Sequence, residues 1–454
     1  MRIKQIYVSG LFGIFDHVIP LNMDERITII HGPNGFGKTA ILRILNSFFN
    51  SQYAELRAIP FKHFRVAFDD SSSIEIIKNT DNSEEAQNNN IAFKFCQPYS
   101  EPAYFYLKPK NIRSNKEFAS IYFLDSILKE RNTPQKSLDF RTEETLISEK
   151  TSEEAVENFD NLWSSSWRLQ KEPEWLEKLK KNIPIRLIES QRLLNLIPKR
   201  SSISDLETSS ILSTVSAYSD ELAKLMQDKF KEYGTISQSL DRTFPIRVVK
   251  QQSSADLTDE QLRDQLNELE ATRSHLMEVG LLDKDEDAEF QIQPQDIDES
   301  TKNALSVYVQ DVEKKLSVFA EIASKIDLLR KIINNKFAYS YKEINFSKEK
   351  GFVVTTSYDS SLSNSKTLLP TDLSSGEQHE LVLLYELLFK VQPNSLVLID
   401  EPELSLHVAW QVQFLKDLQD ITQLADLNIL MATHSPDIIQ DRWDLTVELK
   451  GLQK

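Results

Sequence analysis

The sequence predicts an α/β protein in which a parallel core sheet and an added antiparallel β layer are split by a helical, coiled-coil insertion. Three observations predict it. ERITIIHG runs apolar into the glycine loop GPNGFGKT at residues 32–39 and then into KTAILRILNSFF, which has helical periodicity. A buried parallel strand, a loop and a helix therefore follow one another near the start. SLVLIDEPE and NILMATHSP repeat the buried-strand pattern at the far end of the chain. Between them, Leu305, Val309, Val312, Leu316, Phe319, Ala323, Ile326, Ile333 and Phe337 fall on the three-four spacing of a coiled-coil seam, with Arg330 its one polar interruption.

Residues 1–113 are expected as a first lobe. RIKQIYVSGLFGIFDHVIPL alternates apolar and polar residues, and FKHFRVAFDD, SIEIIKN, IAFKFCQ and AYFYLKP are short alternating runs that suit an antiparallel layer. Residues 114–182 turn helical and charged, without a catalytic signature. Within 183–200, PIRLIESQR gives one more core strand, ending near Gln191. Residues 201–340 are mostly helix: Leu262, Leu266, Leu269 and Leu276 carry a shorter seam, and the longer one predicts a helix roughly 50 Å long. The two seams predict an antiparallel hairpin joined by the acidic loop DKDEDAEFQIQPQDIDES, with one helix of a compact bundle as the alternative. Residues 341–454 return to the core as a second lobe.

Bulk properties bound the function. At 454 residues the chain can bury an ample core and divide into two or three domains. Its net charge of −16 repels nucleic acid and anionic membrane as a whole, so any DNA contact would be local; the best basic stretch is 178–200. No apolar run approaches the ~20 residues of a membrane span, and MRIKQIYVSG lacks a signal-peptide core, so a cytoplasmic protein with no membrane partner is expected. The single cysteine, Cys96, excludes an intrachain disulfide and a thiolate zinc cluster. Only ten glycines occur, and Gly32, Gly35, Gly37 and Gly376 all stand in two short motifs.

The first motif, Gly32 to Thr39 with Ala40 behind it, is a phosphate-binding loop. Its glycines and Asn34 and Phe36 let backbone N–H groups turn toward phosphate oxygens at the positive end of a helix. Lys38 would neutralise the β and γ phosphates of ATP, and Thr39 would ligate Mg²⁺. In SLVLIDEPELSLH, four apolar residues deliver Asp400 and Glu401 to a strand's C-terminal end. Asp400 would hold Mg²⁺ through water and Glu401 would polarise the attacking water. The pair also suits a helix N-cap. His434 ends the next strand within reach of the γ phosphate, although a lone histidine is often structural.

Together with LSSGEQ at residues 373–378 and the downstream ELSLH, these motifs resemble the ABC-type ATPase superfamily, with the soluble chromosome-maintenance, DNA-repair and overcoming-lysogenisation-defect branches nearest. The resemblance covers both ends of the chain. It implies ATP hydrolysis and head-to-tail pairing of two copies. Ser374, Ser375 and Gly376 of one copy would then serve the ATP of the other; the family usually has glycine where Ser375 stands. It also implies that Gln191, or its rival Gln97, senses Mg²⁺ and the attacking water; the adenine contact stays open, and Phe12 or Phe15 ahead of the loop could stack on the base.

The insertion is too short for the long arms of chromosome-maintenance proteins, and one cysteine gives no zinc-hook pair. About twenty residues follow His434, too few for the nuclease domain of the overcoming-lysogenisation-defect enzymes. The chain is most similar to stand-alone ATPase subunits of bacterial anti-phage systems, those of the PARIS systems first and of the Septu systems next. This implies an ATP-bound homo-oligomer that holds a separate nuclease effector, with a phage-encoded trigger. The rival is a repair clamp closing on duplex DNA, which would show a basic face and steep salt dependence; a compact transporter ATPase is a weaker third.

Overall fold

A computed structural model describes residues 1–78, 91–107, 171–189, 213–250, 258–283, 298–357 and 367–451. Along the chain run β1 (Ile3–Leu11), β2 (Phe15–Pro20), β3 (Ile27–His31), α1 (Lys38–Phe49), α2 (Tyr53–Ala58), β4 (His63–Phe68), β5 (Ser73–Lys78), β6 (Ile91–Cys96), β7 (Ala103–Leu107) and α3 (Glu174–Asn182). There follow β8 (Ile185–Ile188), α4 (Thr214–Lys250), α5 (Asp259–Glu278), α6 (Glu299–Leu316), α7 (Ala320–Phe337), β9 (Lys342–Ser347), β10 (Gly351–Thr356) and β11 (Thr367–Leu368). The last are α8 (Ser375–Tyr385), β12 (Leu396–Asp400), α9 (Val408–Ala425), β13 (Asn428–Ala432), α10 (Pro436–Ile439) and β14 (Thr446–Glu448).

These elements form two compact units, Met1–Val18 with Arg57–Asn182, and Ile19–Leu56 with Ile183–Lys454. Residues 1–113 thus contribute to both: the antiparallel layer belongs to the first unit and the glycine loop to the second. Of 114–182, only 171–182 lie among the described residues.

In the first unit a six-stranded sheet has the order β2-β1-β4-β5-β6-β7. From β1 to β7 every pairing is antiparallel, as alternating runs joined by short connections require. Ile6, Val66 and Ile74 lie in one cross-strand row and Ile76, Phe93 and Phe105 in another, all on the buried face. The opposite face is polar, with Glu75 taking Lys94 at 3.3 Å.

The second unit is built on a five-stranded sheet of order β14-β3-β13-β12-β8, parallel throughout. Ile27, Ile29 and Ile30 of β3, Leu396 to Ile399 of β12 and Ile429 to Ala432 of β13 are all buried. Parallel strands covered on both faces need such unbroken apolar runs. Because all five run the same way, their C-terminal ends share one edge, and the ends of β3, β12 and β13 deliver the residues of interest there.

The helical part of this unit is a bundle rather than a two-helix hairpin. α6 packs against both the 37-residue α4 and α5. A short 3-10 turn at Ser317–Phe319 separates α6 from α7, which continues onto β9 and α9. The seam residues Val309, Val312, Leu316, Phe319, Ala323, Ile326, Ile333 and Phe337 are all buried. Arg330, the polar interruption, pairs with Glu278 at the end of α5. Lys336, 1% exposed, pairs with Glu380 and, at 2.8 Å, with Asp417, tying α7 to α8 and α9. The acidic loop expected between α5 and α6 falls largely at 284–297, outside the described residues.

Candidate nucleotide site

Gly37 caps α1 from the left-handed region, at φ 93°, and Gly35 stands at φ 85°. A Cβ on Gly35 would meet nothing of the chain within 4 Å, so its freedom serves backbone conformation and leaves open space over the loop. Lys38, only 5% exposed, donates from Nζ to Gly32 O at 2.8 Å and Pro33 O at 3.2 Å, closing the loop on itself. Burial pushes its pKa down, while the carboxylates of Glu401, Asp400 and Glu403 pull it back up. An anion arriving over the loop would add to that second effect.

β12 brings Asp400 beside α1, where Thr39 Oγ1 donates to Asp400 Oδ1 at 3.1 Å. Burial raises the Asp400 pKa and the neighbouring Glu401 adds to the rise, against the Thr39 hydrogen bond. A half-buried carboxylate and a hydroxyl held side by side are hard oxygen donors of the kind a Mg²⁺ ion takes, and a cation there would favour the ionised Asp400. The residues present therefore fit the metal.

Glu401 occupies the left-handed region, φ 46° and ψ 57°, with its N–H donated to Ala432 O at 2.9 Å. For a side chain with a Cβ this costs about 1–2 kcal/mol. Pro402 opens the following 3-10 turn, Pro402–Ser405. The turn aims the Glu401 carboxylate at His434, whose Nε2 lies 3.6 Å from Glu401 Oε1 and whose Nδ1 lies 3.4 Å from Lys38 Nζ. Lys38, Thr39, Asp400, Glu401 and His434, drawn from three strand ends, thus converge.

The sequence does not reveal what holds His434. Glu403 accepts the His434 backbone N–H at 2.6 Å and the Thr433 hydroxyl at 2.8 Å. Ser435 N donates to Thr433 Oγ1 at 3.0 Å, and Ser435 Oγ to Gln411 Oε1 of α9 at 2.6 Å. The one visible signal is a second acid two places after Glu401.

Ser374 is the N-cap of α8 in a reciprocal capping box: its Oγ accepts Glu377 N at 3.4 Å, and Glu377 Oε2 accepts Ser374 N at 2.8 Å. Ser374 and Ser375 are exposed and Gly376 is half-buried. Gln191 lies outside the described residues; Gln97 is exposed just after β6. Phe36 is half-buried near Gly451. In the first unit, Phe12 is exposed and the Phe15 ring stacks on His17 at 5.8 Å.

The AAA ATPase domain family matches residues 1–439. The chain belongs to that family. It is an ATPase, and the loop, acids and histidine above stand within the matched AAA ATPase domain. No curated protein matches it. Among solved structures it is similar to the Smc head domain with an extended coiled coil bound to the C-terminal domain of ScpA, derived from Pyrococcus furiosus. That likeness has 13% identity, covers 99% of this chain and 94% of that one, and has a TM-score of 0.33. It is also similar to the SMC head domain from Thermotoga maritima, at 11% identity, 97% and 92% coverage and a TM-score of 0.30. Among the described residues, no helix is long and apolar enough to cross a membrane.

Proposed function

We propose that this ATPase is the nucleotide-driven subunit of an anti-phage defence system. Two copies pair head to tail around ATP and Mg²⁺, and the resulting oligomer holds a separate nuclease in check in the cytoplasm until a phage-encoded trigger releases it. Lys38 and the backbone N–H groups of Gly32 and of Asn34 to Ala40 bind the phosphates, Thr39 and Asp400 hold Mg²⁺ with Gln191, Glu401 polarises water, and His434 meets the γ phosphate.

One observation carries the two-chain part. Ser374 and Ser375 face solvent at the start of α8, and no hydrogen bond among the described residues joins them to the chain's own phosphate loop. The first-turn N–H groups of a helix lack partners within it and suit an anion. Leu404, in the turn after Glu401, and Val408 and Val412 of α9 are 69%, 63% and 49% exposed, apolar surface that a second copy would cover. The defence role rests on the resemblance of the motifs. The acidic net charge favours a protein partner over more than local DNA contact.

The test uses two variants. Glu401→Gln should bind ATP, stop turnover and double in mass by light scattering when ATP is added, whereas Lys38→Ala should lose nucleotide affinity and stay single. Tagged Glu401→Gln expressed with the products of neighbouring genes should retain a nuclease. A Glu401→Gln chain that holds ATP as a monomer defeats the pairing. Salt-sensitive capture of duplex DNA in place of a nuclease is what the clamp reading requires.

A further inference from the structure

Glu403 has no part in the roles assigned above, yet it joins the two loops on which they depend. It stands in the 3-10 turn behind Glu401, at the end of β12. Its two oxygens accept the His434 N–H at 2.6 Å and the Thr433 hydroxyl at 2.8 Å, both just past the end of β13. On the far side, Gln411 holds Ser435 Oγ at 2.6 Å and donates to Leu406 O at 3.3 Å, so α9 braces the same two loops. With its backbone fixed this way, the His434 ring lies between Lys38 at 3.4 Å and Glu401 at 3.6 Å.

We propose that Glu403 is a positioning residue for ATP hydrolysis, acting through its paired hydrogen bonds to Thr433 and His434 to keep the imidazole against the reacting end of the nucleotide. The proposal rests on the role given to His434. Its chemistry separates bonds from charge. A glutamine has the same reach: its oxygen can accept the His434 N–H and its amide can donate to Thr433 Oγ1, which has a second lone pair beside the one taken by Ser435 N. Loss of the negative charge alone should therefore matter little, and loss of both bonds should matter much.

Steady-state ATP hydrolysis is compared for Glu403→Ala, Glu403→Gln, His434→Ala and the double variant Glu403→Ala/His434→Ala, with nucleotide binding and melting temperature followed in each. Glu403→Ala should lower kcat about 10- to 100-fold, the scale of a small misplacement of a reacting group, with KM for ATP within about threefold. Glu403→Gln should stay within about threefold of the parent, and the double variant should be no slower than His434→Ala. If Glu403→Ala does not fold, Thr433→Val, which deletes one of the two Glu403 bonds together with the acceptor of Ser435 N, should give a smaller fall in kcat at unchanged KM. Equal losses in Glu403→Gln and Glu403→Ala, or multiplied losses in the double variant, overturn the proposal. An impaired His434→Ala beside an unimpaired Glu403→Ala overturns the positioning role alone. An unimpaired His434→Ala removes the role of His434 as well.

Discussion

Glu377 does two things at the start of α8. It closes the capping box on Ser374, and its carboxylate also takes Lys342 at 2.8 Å and the Ser340 hydroxyl at 2.7 Å. Burial pushes its pKa up, but Lys342, Ser340 and Ser374 outweigh burial and hold it below the usual glutamate value. A carboxylate with a depressed folded-state pKa stabilises the fold above its unfolded pKa of about 4.3. That contribution is lost as pH falls through the folded value. Glu377→Gln should therefore be less stable than the parent at pH 7 by about 2 kcal/mol, and thermal melts should show the gap closing below about pH 4. A gap that stays constant down to pH 3 would mean that the charge contributes nothing. Lys38, Thr39, Asp400, Glu401 and His434 were legible in the sequence because each stands at the end of a strand or in a loop whose pattern is local. The partners of Glu377 and Glu380 were not: Lys342 and Lys336 lie 35 and 44 residues away, and no periodicity links them.

At the scale of elements, the seam spacing of α6 and α7 tells which face is buried but not what covers it, so it favours an antiparallel hairpin, whereas α4 and α5 both pack against α6 and make a bundle. ELVLLYELLFKV reads as plain helix, yet α8 passes into a π turn at Glu386–Lys390, where Glu386 accepts from the Tyr218 hydroxyl at 2.5 Å and from Arg186 at 3.3 Å. Three elements meet there that are far apart in sequence. The junction of α4 with the β9–β10 hairpin depends on close approach. Ser219 Oγ accepts Phe352 N at 2.9 Å and donates to Lys350 O at 2.8 Å, bracketing Gly351. Gly351 has φ 69°, and a Cβ there would stand 1.9 Å from Ser219 O. Gly351→Ala should cost about 1–2 kcal/mol for the left-handed backbone alone. Moving α4 off the hairpin should bring the total to about 3 kcal/mol or more. Chemical denaturation measures it, and a cost under about 1 kcal/mol would mean that α4 yields freely.

At the scale of the whole molecule, the parallel sheet collects the loop, the acids and the histidine at one edge, and the sequence showed this because each strand carries its chemistry at its own C-terminal end. What local pattern leaves open is which chain the exposed start of α8 serves. Ser374→Arg puts a long cation where a neighbour's γ phosphate would dock, while leaving the phosphate loop of the same chain untouched. Such a chain should bind ATP normally and hydrolyse it poorly. Lys38→Ala chains should also be inactive alone, for the opposite reason. In a head-to-tail pair of the two variants, one composite site has both the intact loop and the intact LSSGEQ segment, and the other has both lesions. Random pairing of an equal mixture makes half of the pairs mixed, with one good site each, so turnover should recover to roughly a quarter of the parental rate if single sites act independently. Recovery that grows with mixing time, as subunits exchange, would be hard to obtain any other way. The outcome that ends the two-chain account is Ser374→Arg hydrolysing ATP at the parental rate while light scattering shows a single chain, because LSSGEQ would then have no part to play across an interface.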